Sequence, residues 1–217
     1  LGVPLPPPRL RLIDGLPPRH IVVALHEVPA LVLKIPDEVH DDQAATWAFS
    51  AVFGLLLSRA ADFVGLHETQ ILLDKLEGLS PAVVRQVVPK PVTLQLLADV
   101  LRRLVEERVS IRDLRGILEA LGTYGPQEKD PLQLAELVRS QLRRAITFRL
   151  TGGAEGLAVV LLDPIIEETV RRAITRTASG SFLTLAPAAA RDVVSAVKRA
   201  WAGPEVQGAV LLTQPDI

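Results

Sequence analysis

Cysteine does not occur among the 217 residues. Its absence excludes disulfides, thiolate metal sites and cysteine nucleophiles together. Methionine is missing too, so a chain that opens on Leu1 reads as a fragment, or as one that has lost its initiator. Asparagine is also absent, which leaves glycine to fill nearly all left-handed backbone positions. Aromatic residues are only 4% of the chain, and Trp47, Tyr124 and Trp201 lack the spacing of a base-stacking platform. Neither sign of charge dominates: 24 Lys and Arg stand against 25 Asp and Glu, a net charge of −1. So even a balance gives no global field for gathering nucleic acid or coating an anionic membrane. Long apolar runs are lacking as well. The longest, Ala44–Leu57, is interrupted by Ser50 and Gly54; a bilayer span takes about 20 residues, so this stretch reads as a buried helix. The opening LGVPLPPPRL has neither the basic nor the apolar region of a signal peptide.

What is present is a globular composition, 48% hydrophobic and 23% charged. Leu10 and Leu12 alternate with Arg9 and Arg11, the period-two sign of a half-buried strand. Ile21–Leu25 and Val28–Ile35 read as further strands, and Pro36–Asp42 as a polar break. Ala44–Val64 reads as a helix that is apolar round most of its circumference, as buried helices are. Shorter helices are predicted over Glu68–Glu77 and Ala82–Val88. In Thr93–Arg108, Leu94, Leu97, Leu101 and Leu104 share one face. Ser110 is predicted to cap the next helix through the N–H of Asp113, with Ile111, Leu114, Ile117, Leu118 and Leu121 inside and Gly122 ending it. Asp130-Pro131 opens a third helix to about Ile146, with Gln133 completing a capping box, burying Leu134, Val138, Leu142 and Ala145. The period then changes. Thr147–Leu150 and Leu157–Leu162 read as strands around TGGAEG. Pro164 opens a helix to Thr175, Ser181–Leu185 a strand, Pro187 a helix to Trp201 and Ala209–Thr213 a last strand, together a small α/β unit.

The residues offer little chemistry. His20, His26, His40 and His67 have no i, i+4 pairing and no HExxH. The acidic run Asp37, Glu38, His40, Asp41 and Asp42 has hard oxygen ligands for a cation but reads first as a solvated loop. Gly152–Gly156 is no phosphate-binding loop, and Glu155 within it would repel phosphate. Glu167 and Glu168 are adjacent and so point about 100° apart on a helix, where a role beside the helix N-terminus fits better. No nucleophile, base and oxyanion donor assemble. The reading is a chain that is not an enzyme and carries no cofactor or metal.

The charges round the central helices are denser. Arg102, Arg103, Glu106, Glu107, Arg108, Arg112, Asp113 and Arg115 mix both signs. By pattern alone they read first as a salt-laced solvent face, worth little per pair. The second reading is a complementary rim between subunits, where mixed charges select register and partner.

The same stretch carries a resemblance. Leu101-Arg102-Arg103-Leu104-Val105-Glu106-Glu107, then Val109–Arg115, then Ile117-Leu118-Glu119-Ala120-Leu121 resemble the flagellar and type III secretion export-gate (FHIPEP) family. Glu68-Thr69-Gln70 with Leu73-Asp74, and Lys129-Asp130-Pro131, match it as well. Leu1–Pro6 resembles the lead-in to the family's cytoplasmic domain. Leu162-Asp163-Pro164, Glu167-Glu168, Arg172-Ala173-Ile174, Thr177 and Gly180–Leu183 resemble the injectisome branch more than the flagellar one. Leu211–Ile217 matches a late family segment.

The resemblance implies the cytoplasmic part of a bacterial inner-membrane export gate, anchored through a preceding transmembrane portion. It implies a homo-oligomeric ring, typically a nonamer, that receives chaperone–substrate complexes and a gatekeeper protein and contacts the central stalk of the export ATPase, in virulence-related protein transport. It moves the weighing of Arg102–Arg115 toward a subunit interface. The fold class it implies is α+β with several subdomains: a small β-rich N-terminal unit with a long helix (1–66), a helical ring-forming subdomain (67–146) and a C-terminal α/β subdomain (147–217), truncated at its end. The family's second subdomain is missing near 36–45, so the flagellar chaperone-binding dimple beside it transfers no residues. The competing reading is a winged-helix-like nucleic-acid-binding module, with Thr147–Leu162 as the wing and Arg112 and Arg115 at a groove; the neutral balance, Glu106 and Glu107 oppose it.

Overall fold

A computed structural model describes residues 1–177, 180–203, 206 and 208–214. Ser179 and the Pro215-Asp216-Ile217 motif lie outside the described residues. The elements are β1 (His20–Leu25), β2 (Val28–Lys34), α1 (Asp41–Ser58), a 3₁₀ turn (Ala60–Phe63), α2 (Leu66–Glu77), α3 (Pro81–Val87), α4 (Leu94–Glu106), α5 (Leu114–Tyr124), α6 (Pro131–Gln141), α7 (Arg143–Thr151), β3 (Val159–Leu161), α8 (Pro164–Arg172), β4 (Ile174–Thr177), β5 (Gly180–Leu183), α9 (Pro187–Ala200) and β6 (Val210–Leu212). The architecture is α+β, as expected. The chain divides into two units, Leu1–Arg139 and Ser140–Ile217.

In the first unit β1 and β2 form an antiparallel hairpin. Its turn is His26-Glu27, both at positive φ, as a two-residue turn matched to strand twist requires. The His26 ring stacks on Phe63 of the 3₁₀ turn at 6.0 Å. After β2 the chain is clasped by Arg19, whose guanidinium donates to Asp41 at 2.9 Å and to the carbonyls of Pro36 and Val39. The helical core follows, with α2 in contact with α3, α4 and α5, and α4 also against the 3₁₀ turn. Leu97, Leu101, Leu104, Ile117, Leu118, Leu121, Leu134 and Val138 are fully buried. Their spacing of three and four places them on single helix faces.

The second unit holds α7 and a mixed strand-and-helix layout. β3 pairs in parallel with β6, Val159 opposite Val210, a connection that needs a crossover; α8, the β4–β5 hairpin and α9 intervene. Glu167 is buried on α8, and its carboxylate accepts from the Gln214 N–H at 3.0 Å, just past β6.

Several expectations are corrected. Arg9–Leu12 forms no strand: Leu10 and Leu12 are fully exposed, at 99% and 103%. Alternation diagnoses a strand only where one face is buried. Thr147–Leu150 lies in α7, a helix that buries no residue, so its alternation had no burial behind it either. The hairpin on which the winged-helix reading depends therefore does not form. The Ala44–Val64 helix ends at Ser58, and α1 buries only Ala48, because its neighbours are β2 and the 3₁₀ turn and a two-stranded hairpin covers one side. Ser110 does not cap α5. Asp113 does, its Oδ1 accepting from the Gly116 N–H at 3.0 Å, while the Ser110 hydroxyl donates to the Leu1 carbonyl at 3.3 Å. Gly122 does not end α5; a side chain there would meet Val87 at 3.0 Å, so it is a packing glycine and Gly125 is the terminator. The third helix breaks at Leu142, leaving Ala145 exposed on α7. The α8 helix stops at Arg172, ahead of β4. Glycine does not monopolise left-handed positions: Arg19, His26, Glu27 and Arg108 share them.

Candidate assembly surface

Thr93 caps α4, its hydroxyl accepting from the Leu96 N–H at 3.1 Å. The cap fixes the start of the helix, and its period then sets Asp99, Arg102, Arg103 and Glu106 on one stripe, opposite the buried leucines. Arg102 is turned inward along its own chain. One nitrogen donates to Asp99 at 3.0 Å and another to the Val64 carbonyl, at the end of the 3₁₀ turn, at 3.1 Å. It ties α4 to the N-terminal elements and has less to offer a neighbour than its position suggests.

Glu107 caps the C-terminus of α4 and accepts from Arg139. Arg139 also holds Glu136 through both carboxylate oxygens. Burial works against the charged guanidinium, but Glu107 and then Glu136 outweigh it and raise its pKa above the ordinary value. Arg139, on α6, was no part of the sequence-derived belt; a position 32 residues from Glu107 gives no local signal of the pair.

Arg108 follows in the left-handed conformation, φ 59°. Its N–H donates to Val105 at 2.9 Å and that of Val109 to Leu104 at 2.7 Å, the paired bonds of a Schellman stop, where glycine is the usual residue. The left-handed cost to a side chain is about 1–2 kcal/mol, and glycine's own entropic cost is about 0.5–1 kcal/mol. Among variants that both lack the guanidinium, Arg108→Gly is therefore expected to be more stable than Arg108→Ala by roughly 0.5–1 kcal/mol, read as a higher urea midpoint.

Beyond the stop, Asp113 is committed to capping α5, and Arg115 donates to Glu119 at 2.8 Å. That hydrogen bond and the Glu119 charge raise the Arg115 pKa. Arg112 is exposed, and its stem lies against Gly2, where an added Cβ would come within 2.6 Å of Cγ. The Leu1 carbonyl accepts from the Ile111 N–H at 2.8 Å. The N-terminal residues are thus seated on the α4–α5 turn, a contact across more than a hundred positions that no periodicity reveals. Among the described residues, the side chains of Arg103, Glu106 and Arg112 enter no hydrogen bond or ion pair. The belt so divides into members held within the chain, Arg102, Glu107, Asp113 and Arg115, and members facing outward, Arg103, Glu106 and Arg112.

The acidic run is also spoken for in part. Asp37 accepts from Lys34 at 3.0 Å and Asp41 from Arg19 at 2.9 Å. The Lys34 hydrogen bond and charge hold the Asp37 carboxyl below its usual pKa. Among the described residues no three acidic or histidine side chains converge as a metal-ligand set. None of the helices there is long and apolar enough to cross a membrane. The Glu68-Thr69-Gln70 motif has a structural account: Glu68 accepts from the Gly65 N–H at 3.1 Å and the fully buried Thr69 donates to the Gly65 carbonyl at 2.7 Å.

The FHIPEP family profile matches residues 40–217. Protein hrpC2 of Xanthomonas euvesicatoria is 39% identical over 199 residues, covering 92% of this chain and 30% of that protein. The low calcium response locus protein D of Yersinia pestis is 32% identical over 244 residues, covering 92% of this chain and 34% of that protein. That alignment is longer than the whole chain, so the Yersinia protein carries internal residues without a counterpart here. The chain spans about a third of the length of these curated relatives. Among solved structures, the Chlamydia pneumoniae CdsV protein superposes with a TM-score of 0.80 at 28% identity, covering 94% of this chain and 71% of CdsV. CdsV in complex with CdsO gives 0.78 at 29% identity, covering 94% and 71%. Nonameric SctV-C from EPEC gives 0.67 at 31% identity, covering 80% of this chain and 60% of that one. With the central motifs falling on the α4 and α5 helices that carry the charged belt, the chain belongs to the FHIPEP family of export gates, on the injectisome branch of type III secretion.

Proposed function

We propose that this domain is the cytoplasmic ring module of an inner-membrane type III export gate. It assembles with copies of itself, as a nonamer, into a docking platform rather than a catalyst. Chaperone–substrate complexes, a gatekeeper protein and the ATPase stalk are its partners. The observation that carries the reading is the family match over residues 40–217, joined to the fold shared with a nonameric relative. The solved CdsV–CdsO complex supports a stalk-type partner. The outward Arg103, Glu106 and Arg112 supply mixed-sign groups suited to selecting register between subunits.

Mass photometry across a concentration series tests it. Closed rings are expected at high concentration. Reversing Arg103 or Arg112 to Glu should shift assembly to higher concentration and change its salt dependence, since rim charges act through screened attraction. A strictly monomeric protein, alone and when joined to its membrane portion, would overturn the reading.

A further inference from the structure

We infer that the exposed stripe of α1 on one copy packs against α7 of the next. The inference rests on the ring reading and names a contact within it.

The α1 helix is apolar yet buries only Ala48. Asp42, Thr46, Phe49 and Phe53 follow at i, i+4, i+7 and i+11, which places them within a narrow arc of the helix. All four are exposed. The Phe49 and Phe53 rings stack on each other at 5.8 Å and are 67% and 49% exposed. No cation lies on this helix, and the Asp42 carboxylate has no hydrogen bond or ion pair among the described residues. The stripe thus presents an aromatic pair and a carboxylate without an ion-pair partner.

The α7 helix presents the opposite. It has nine residues, none of them buried. So short a helix is marginal in water and draws its stability from packing. It carries Arg143, Arg144 and Arg149 and no acid. Arg143 donates to the Ser140 carbonyl at 3.3 Å, whereas the Arg144 guanidinium has no hydrogen bond or ion pair among the described residues. Phe148 is one turn on from Arg144, on the same face, and is 69% exposed.

Each surface therefore offers exposed phenylalanine on the same helix face as a charge without an ion-pair partner, two turns away on α1 and one turn away on α7, and the two charges are opposite. Pairing α1 with α1 would leave both Asp42 carboxylates without a cation, and α7 with α7 would bring together two helices that carry arginines and no acid. The complementary arrangement joins two different patches, and head-to-tail contacts between different patches are the kind that close into rings. A second copy of this chain is accordingly the occupant.

The absence of cysteine allows a direct test. Full chains bearing Phe49→Cys and Phe148→Cys, mixed under ring-forming conditions and oxidised, should yield covalent dimers. The variant bearing both should yield a ladder of multimers. The exposed Leu79→Cys mixed with Phe148→Cys should stay at background. Asp42→Arg and Arg144→Asp should each raise the assembly concentration on the order of tenfold, and together should restore it. Rings that form without cross-links above the Leu79 background overturn this contact and leave the ring reading standing. An intrachain disulfide as the sole product of the double variant, or equal dimer yield from one single variant alone, overturns it too. A native chain that never assembles overturns both.

Discussion

Leu101→Ala is expected to lower the stability of the Leu1–Arg139 unit by about 2–5 kcal/mol. Leu101 is fully buried on α4, the helix that packs on α2 and the 3₁₀ turn. Truncation removes the transfer free energy of the lost carbons and leaves a cavity that surrounding helices fill only in part. Urea unfolding should show a lower midpoint with an unchanged slope. The functional consequence follows from the helix itself. Arg102, Arg103 and Glu106 ride on the opposite face, so a loosened α4 also loosens the outward charges. Arg103→Ala, by contrast, removes a half-buried side chain that enters no hydrogen bond or ion pair among the described residues and should change stability by about 0.5 kcal/mol. On the ring reading, assembly and folding are then separable: Arg103 variants should assemble only at higher concentration with little change in the midpoint, and Leu101→Ala should weaken both.

The second large effect is expected at Gly125. A Cβ at this position would lie 2.5 Å from the Leu121 carbonyl oxygen and 2.7 Å from Val92 Cγ2. Val92 is fully buried and cannot swing away, and the carbonyl belongs to the last turn of α5. The backbone φ of −59° is ordinary for any residue, so the requirement for glycine is one of space. Overpacking of this kind costs typically about 1–3 kcal/mol. Gly125→Ala should lower the urea midpoint accordingly. Gly125 also gives its carbonyl to Lys129, the lysine of the Lys129-Asp130-Pro131 motif, so displacement of the α5 end should loosen the lead-in to α6. Hydrogen exchange should therefore report faster opening of the first turn of α6 in the variant.

The helices of the first unit were legible because burial there is one-sided. A leucine at every third or fourth position of α4 marks a face that must leave water, and the capping residue and proline at each end mark where the period begins. The same logic failed wherever the pattern had no burial behind it. Arg9–Leu12 and Thr147–Leu150 alternate as strands do, yet one is irregular and exposed and the other is helical. The α1 helix erred in the opposite direction: its apolar circumference predicted a buried element, but burial depends on how many neighbours the fold supplies, and the hairpin supplies one side.

The candidate surface was legible in composition and not in pairing. The sequence by itself determined the family through motifs linked along the chain, the buried faces of α4, α5 and α6, and the mixed-sign belt between Arg102 and Arg115. Only the tertiary structure decided which of those charges remain available. Arg102 reaches the Val64 carbonyl, Glu107 is claimed by Arg139, and Leu1 settles on the α4–α5 turn. Each of these contacts joins residues far apart in the chain, and a side chain's charge is visible in a sequence whereas the distance to its partner is set by how the helices pack.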